Sequence, residues 1–538
     1  MSLSSWTHHS LLKATAPINF ASGRLAKGAV NREAREVLRE MTRARQAYIE
    51  QLSRPDSAPD NVNRACNDYL SLLLGFIDPP QTSFVEGGGG TKAVPADLPA
   101  DAHIKEGDGD GGAPPPADGA QDEDGADGAA AAAAAAPDPS KSPKSPRAKK
   151  KDKKKDGAKE EPMALFGKMI PGLRGATVFK WMDAMSGKPM EFMDAQVELI
   201  CCLLNLALWE CLHASVLEAK VKSSPLEKGE DGKPKGFSAE EESTMREVYQ
   251  ALRLAAEIFT YCDQFELSKV EFRENHDFDE RIVESMSLQC MAEAEEVTVR
   301  IAKARNHPAT IISGVARDVV EIYKEAREKI QRMPQRIVAD LLSYYDFKIG
   351  FYEATALYEN GEVIYAKAEA ERQKEASAHD PGTLCAQALK CCIEATAMLD
   401  SAEATAKKYM LEKKRRSSKN YMQTQNNDPT KSENFLELRR RLKLLTDTAE
   451  RERSMLYHTK IPPTLPDDLI APARVLKTTP FELPALGERW KEAQWNQAIV
   501  PFKGEDADAD KASSDKNRIK FGKHFAPQRY DDAICSIQ

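Results

Sequence analysis

The 538-residue sequence has no uninterrupted apolar stretch of membrane-spanning length, no C-x-x-C pair, no Asn-x-Ser/Thr sequon and no surplus of positive charge. Each absence excludes something. The longest apolar stretch, Leu199 to Trp209, is 11 residues bounded by Glu198 and Glu210. A spanning helix needs about 20, so the stretch reads as a buried core helix. The first 30 residues carry His8, His9, Lys13, Pro17 and Arg24 in place of the apolar core of a secretory signal. Ten cysteines include the neighbours Cys201-Cys202 and Cys391-Cys392. That usage suits small hydrophobes in a reducing compartment, not a disulfide framework, and an intracellular protein is expected. Lys and Arg number 76 against 84 Asp and Glu, the reverse of the basic surplus of a nucleic-acid binder. Aromatic residues, at 7%, are sparse for an all-β fold.

Catalytic and metal patterns are equally thin. Gly107, Gly109 and Gly112 match G-x-G-x-x-G, but acidic, Gly-rich flanks replace the strand and helix that a phosphate-binding turn requires. Gly87 to Lys92 lacks the Walker order. No H-E-x-x-H, G-x-S-x-G or Cys/His ligand spacing occurs. The sequence therefore predicts no enzyme, metal, cofactor or small-molecule substrate. The basic runs Lys149–Lys155 and Lys413–Arg416 read as short, loop-borne, solvated segments.

Helix signals fill most of the remainder. Val37, Met41, Ala44, Tyr48 and Leu52 form one apolar stripe behind a start signal at Asn31. Ser238 and Glu241 have the spacing of a capping box, followed by Met245, Val248, Leu252, Ala255, Phe259 and Cys262. Helices are expected over 281–304, 309–329, 334–378, 382–411 and 433–456, with joints at Asp380-Pro381-Gly382 and Asn360-Gly361. After 460 the chain turns Pro-rich and extended. Long helices with short turns argue an all-α solenoid or bundle. Residues 87–162 lose all periodicity and cannot offset their ordering entropy by burial, so a disordered insertion is expected. The organisation is then 1–86 and 163–495 as one helical domain, 87–162 as insertion and 496–538 as flexible tail.

The sharpest chemical signal is Cys535-Ser536-Ile537-Gln538, a C-a-a-X box of the farnesyl class. A covalent farnesyl on Cys535, with terminal methylation, is the one attached group expected. One lipid chain anchors only marginally. Lys511, Lys516, Arg518, Lys520, Lys523 and Arg529, interleaved with Phe521 and Phe525, supply a weakly basic tail for an anionic leaflet.

Leu12–Ile18, Leu73–Ile77, Phe179–Asp183, Asn205–Trp209, Ala255–Phe259, Ala292–Val297, Phe351-Tyr352 with Gly361-Glu362, Tyr457–Pro462 and Pro480–Pro484 together resemble the BRO-one domain family, over about 5–86 and 163–495. Within it, the C-terminal prenylation box matches the branch that lacks a coiled-coil and Pro-rich extension. The resemblance implies an elongated, curved helical domain with a tetratricopeptide-like core and a small β element. It implies binding of the C-terminal amphipathic helix of ESCRT-III subunits, the charged multivesicular body protein class, at endosomes or the nuclear envelope. Binding would be helix-in-groove, on positions that fall at Thr298, Ile311 and Val315.

Periodicity places Ile311, Val315 and Ile322 in a row about 90° from the stripe Ile312, Ala316, Val319, Val320 and Tyr323. Taken alone, that pattern favours a helix buried on two sides; the resemblance selects a groove wall instead. Gly314 beside the row would admit a partner backbone. A second reading is a prenylated scaffold whose partners bind the 87–162 insertion, switched by phosphorylation at Ser142 and Ser145.

Overall fold

The computed structural model describes residues 12–29, 32–77, 163–164, 173–185, 187–221, 236–271, 276–374, 379–416 and 428–492. The chain divides into two compact units, Met1–Thr82 with Glu161–Gln538, and Ser83–Glu160. All described residues belong to the first. Asn31, Ser142, Ser145, Cys535, the 87–162 insertion and the basic tail lie outside them.

The described residues are mostly helical, with a small sheet. Helices α1 (Gly23–Gly28), α2 (Arg32–Leu52) and α3 (Pro59–Ile77) come first. Strands β1 (Met163–Ala164), β2 (Phe179–Met182) and β3 (Pro189–Phe192) follow, in the order β1-β3-β2. Strand β3 pairs antiparallel with β2, Trp181 opposite Met190, and parallel with β1. Then come α4 (Ala195–Lys220), α5 (Ala239–Tyr261), α6 (Glu280–Ala304), α7 (Ala309–Ile330), α8 (Gln335–Arg372), α9 (Pro381–Arg416) and α10 (Glu433–Glu452), each packed on the next. A short α11 (Glu488–Glu492) closes the described chain.

Apolar spacing explains most of this. The predicted stripe of α2 is its buried face, with Val37, Met41, Tyr48 and Leu52 in the core. The capping box is formed: Ser238 accepts from the Glu241 amide, and Glu241 from the Ser238 amide. Helix α4 is longer than its apolar stretch suggested. Its length and hydropathy would suffice to cross a membrane, but that whole window is buried within the protein. Glu198 on α4 is buried yet satisfied, accepting from Arg45 Nε (2.8 Å), Tyr69 Oη (2.9 Å) and Trp181 Nε1 (2.6 Å). One carboxylate thus ties α2, α3 and β2 to the central helix. The nine described cysteines are all buried thiols.

One expected joint is absent. Asn360-Gly361 lies inside the unbroken α8. The Asn360 amide nitrogen donates to Ser313 Oγ on α7 (2.6 Å) and to the Ala356 carbonyl (2.8 Å), so the pair serves helix packing. The Asp380 joint is real, its carboxylate accepting from the Gly382 and Thr383 amides at the start of α9.

Candidate functional site

The hairpin of α6 and α7 turns through Arg305–Pro308, with Asn306 at φ 52°. Thr298 sits half-buried on α6, its hydroxyl turned back to the Ala294 carbonyl at 3.4 Å. Ile311, in the first turn of α7, is 47% exposed. Val315 and Ile322 are each only 1% exposed and belong to the core shared by α6, α7 and α8. The predicted row therefore does not form a continuous open wall. Of the four residues, Ile311 presents the large apolar surface and Thr298 a partial one. Val315 and Ile322 are core, because α7 is buried on two sides along most of its length.

Beside that core, the chain's own extended segment between the end of α10 and α11 lies as a strap across the helices, meeting α7 at Gly314 and Asp318. Ile470 N donates to Asn360 Oδ1 on α8 (3.0 Å) and Ala473 N to the Gly314 carbonyl on α7 (2.9 Å). Arg474 pairs with Asp318 on α7 (3.1 Å). The amides of Val475 (2.9 Å) and Leu476 both reach Glu295 Oε1 on α6. Thr479 N (2.6 Å) and its hydroxyl (2.9 Å) reach Glu257 Oε1 on α5. A Cβ at Gly314 would stand 3.0 Å from Ala473 Cβ and 3.3 Å from the Ala471 carbonyl. The backbone that Gly314 admits is thus the protein's own strap and not that of a partner.

Beneath this surface α6 and α8 share buried charge. Lys348 Nζ donates to Glu296 (2.7 Å), which also accepts from Tyr323 (2.6 Å), while Tyr344 donates to Glu293 (2.8 Å). Burial pushes the Glu293 carboxyl up to about 7, against the opposing pull of Lys348. Arg300 is ion-paired with Glu218, and Lys303 with Glu359 at 3.5 Å. These groups are committed to one another, as a rigid scaffold requires. No group of three or more His, Cys, Asp or Glu suited to a metal occurs among the described residues. What the arrangement offers is a rigid helical face with one protruding isoleucine, which can dock a partner's apolar side chain.

The BRO1-like domain model matches residues 168–507, well over half of the chain. The chain belongs to the BRO1-like domain family. The human BRO1 domain-containing protein BROX is 28% identical over 326 residues, 59% of this chain and 69% of that protein. The Danio rerio BROX is 22% identical over 485 residues, covering 89% and 87%. Among solved structures, the ALIX BRO1 CHMP4C complex matches with a TM-score of 0.50 at 13% identity, over 90% of this chain and 98% of that one. It shares the helical fold with this BRO1-like chain. Sequence reasoning read an extended segment after 460 but missed where it docks and its acceptors Glu257, Glu295, Asp318 and Asn360.

Proposed function

We propose that this BRO1-like protein is a farnesylated, membrane-associated adaptor that docks the C-terminal amphipathic helix of ESCRT-III subunits at the α6–α7 hairpin. The family is one of adaptors and scaffolds, and no catalytic family is indicated. The observation that carries the reading is Ile311: a large apolar side chain left exposed on α7, at the position the family resemblance assigns to helix capture. Thr298 flanks it, and buried Val315 and Ile322 hold α7 rigid beneath it. Groove recognition concentrates its energy in such anchors. The farnesyl at Cys535 and the basic tail would keep the adaptor on the cytoplasmic face of endosomal or nuclear-envelope membranes, beside a cytosolic pool.

Ile311→Asp tests the site without disturbing the core, since the residue is exposed. Titration calorimetry with a peptide of an ESCRT-III C-terminal helix should show a loss of about 2 kcal/mol or more, the worth of a central anchor. Unchanged affinity in a folded variant would remove the site.

A further inference from the structure

Positive charge is unevenly spread. In a chain of net charge −8, the stretch of α9 from Glu403 to Arg416 holds six lysines and arginines against two glutamates, and α10 from Glu433 to Lys443 holds four against two. These stretches are neighbours. The Arg439 guanidinium donates to Asp400 (2.9 Å) and Glu403 (2.8 Å) across the helix pair. In that antiparallel register Leu436, one turn before Arg439, stands level with Lys407, one turn after Glu403, and Leu411 follows a turn beyond. Helix α9 continues through Arg416, so Lys413–Arg416 occupy its last turn and not a loop, as the sequence had suggested.

Large apolar side chains are exposed at this end, Leu411 at 59% and Leu436 at 54%, with Leu444 at 62% two turns further along α10. Lys407, Lys408, Arg440 and Lys443 are exposed nearby, Lys407 paired with Glu403 (2.8 Å) and Arg440 with Glu437 (2.6 Å). Leu436, Arg440, Lys443 and Leu444 lie at i, i+4, i+7 and i+8, one outward face of α10. The other face, with Phe435, Leu438, Leu442 and Leu445, is buried in a core with α8 and α9. Cations near a helix C-terminus complement its dipole, which accounts for part of the charge but not for the leucines.

We propose that this end of the α9–α10 hairpin is a membrane-contacting edge, where Lys407, Lys408 and Lys443 engage anionic phospholipid headgroups while Leu411 and Leu436 enter the headgroup–acyl boundary. Basic residues flanking exposed leucines on a helix are the composition that lies in a bilayer interface. A single-stranded nucleic acid would call for stacking aromatics, and Tyr409 and Phe435, the aromatic residues here among those described, are buried. The edge deepens the tether reading, since it supplies the second signal that one lipid chain needs.

The test uses the full-length chain carrying Cys535→Ser, so that prenylation plays no part. It is sedimented with phosphatidylcholine vesicles containing or lacking phosphatidylserine. Binding to the phosphatidylserine vesicles is expected, weakening with added salt. It should fall roughly tenfold or more in Leu411→Asp/Leu436→Asp and in Lys407→Glu/Lys408→Glu, with the thermal midpoint unchanged. Equal binding to neutral vesicles, no loss in either double variant, or retention on RNA or an acidic protein without vesicle binding would overturn the proposal. Failure of the tether reading would look different: intact mass would show wild-type Cys535 unmodified in its native cell while vesicle binding persisted.

Discussion

Trp490 occupies the space that a side chain at position 75 would need. A Cβ on Gly75 would overlap the Trp490 ring, and the indole is buried edge-on to Phe76 (centroids 5.8 Å apart) with Nε1 donating to the Leu72 carbonyl at 3.0 Å. Gly75→Ala must expel the ring, so it should cost roughly what Trp490→Ala costs, about 3–5 kcal/mol for a buried aromatic. Denaturant unfolding of the two single variants and the double variant checks this. In the Trp490→Ala background the alanine should cost little, since the two share one space. Glu210 is a residue-scale case of opposite sign. It is buried on α4 and its Oε1 has no hydrogen-bond partner. Burial alone pushes its carboxyl up to about 8. The folded state then holds a proton that the unfolded chain has lost above about 4.5. Stability contributed by that proton is present at acid pH and declines as pH rises toward 8. Glu210→Gln should therefore raise the melting temperature at pH 8 and leave it nearly unchanged at pH 4.5.

At the scale of elements, the strap is held by acceptors from four successive helices, α8, α7, α6 and α5, met in the reverse of their chain order. Glu295 is the central one: it takes two backbone N–H groups, and its own pKa is raised by burial while those donors oppose the rise. Glu295→Ala leaves two donors without a partner, at about 1–3 kcal/mol each. Limited proteolysis should then cut first between 461 and 487 while the helices keep their circular dichroism. Cleavage as slow as in wild type would show that the remaining contacts suffice. This element also marks where the sequence stopped being legible. The α2 stripe, the Ser238–Glu241 box and the Asp380 joint depend on residues within a few positions, so their patterns could be read directly. The strap has no period of its own, and its partners lie over a hundred positions away. Asn360-Gly361 failed for the converse reason: its local turn preference is real, but Ser313 on α7 and Ile470 on the strap consume the amide in an unbroken helix. The row Ile311, Val315 and Ile322 was placed on α7 correctly, yet periodicity cannot say which second face is covered; packing with α6 and α8 takes Val315 and Ile322 into the core.

At the scale of the whole molecule, three contacts would act together: a lipidated Cys535, the basic edge of α9–α10 and the helix-docking face at Ile311. Each is weak alone. One lipid chain gives marginal, reversible binding. Joining such contacts in one chain makes the later ones intramolecular, so avidity exceeds any single affinity only while all can engage at once. The consequence is a separable pair of losses. Cys535→Ser should move the protein from membranes to cytosol in fractionated cells while leaving calorimetric affinity for the ESCRT-III helix unchanged, because the proposed docking face is built on α6 and α7. Ile311→Asp should do the reverse in solution, abolishing peptide uptake, and should deplete the membrane pool only partly, since lipid and basic edge remain. Removing residues 87–162 should alter neither readout, whereas the scaffold reading requires recruitment to collapse with that deletion. If Cys535→Ser and wild type distribute identically, lipidation contributes nothing to membrane residence, and the basic edge with the docked helix must account for all of it.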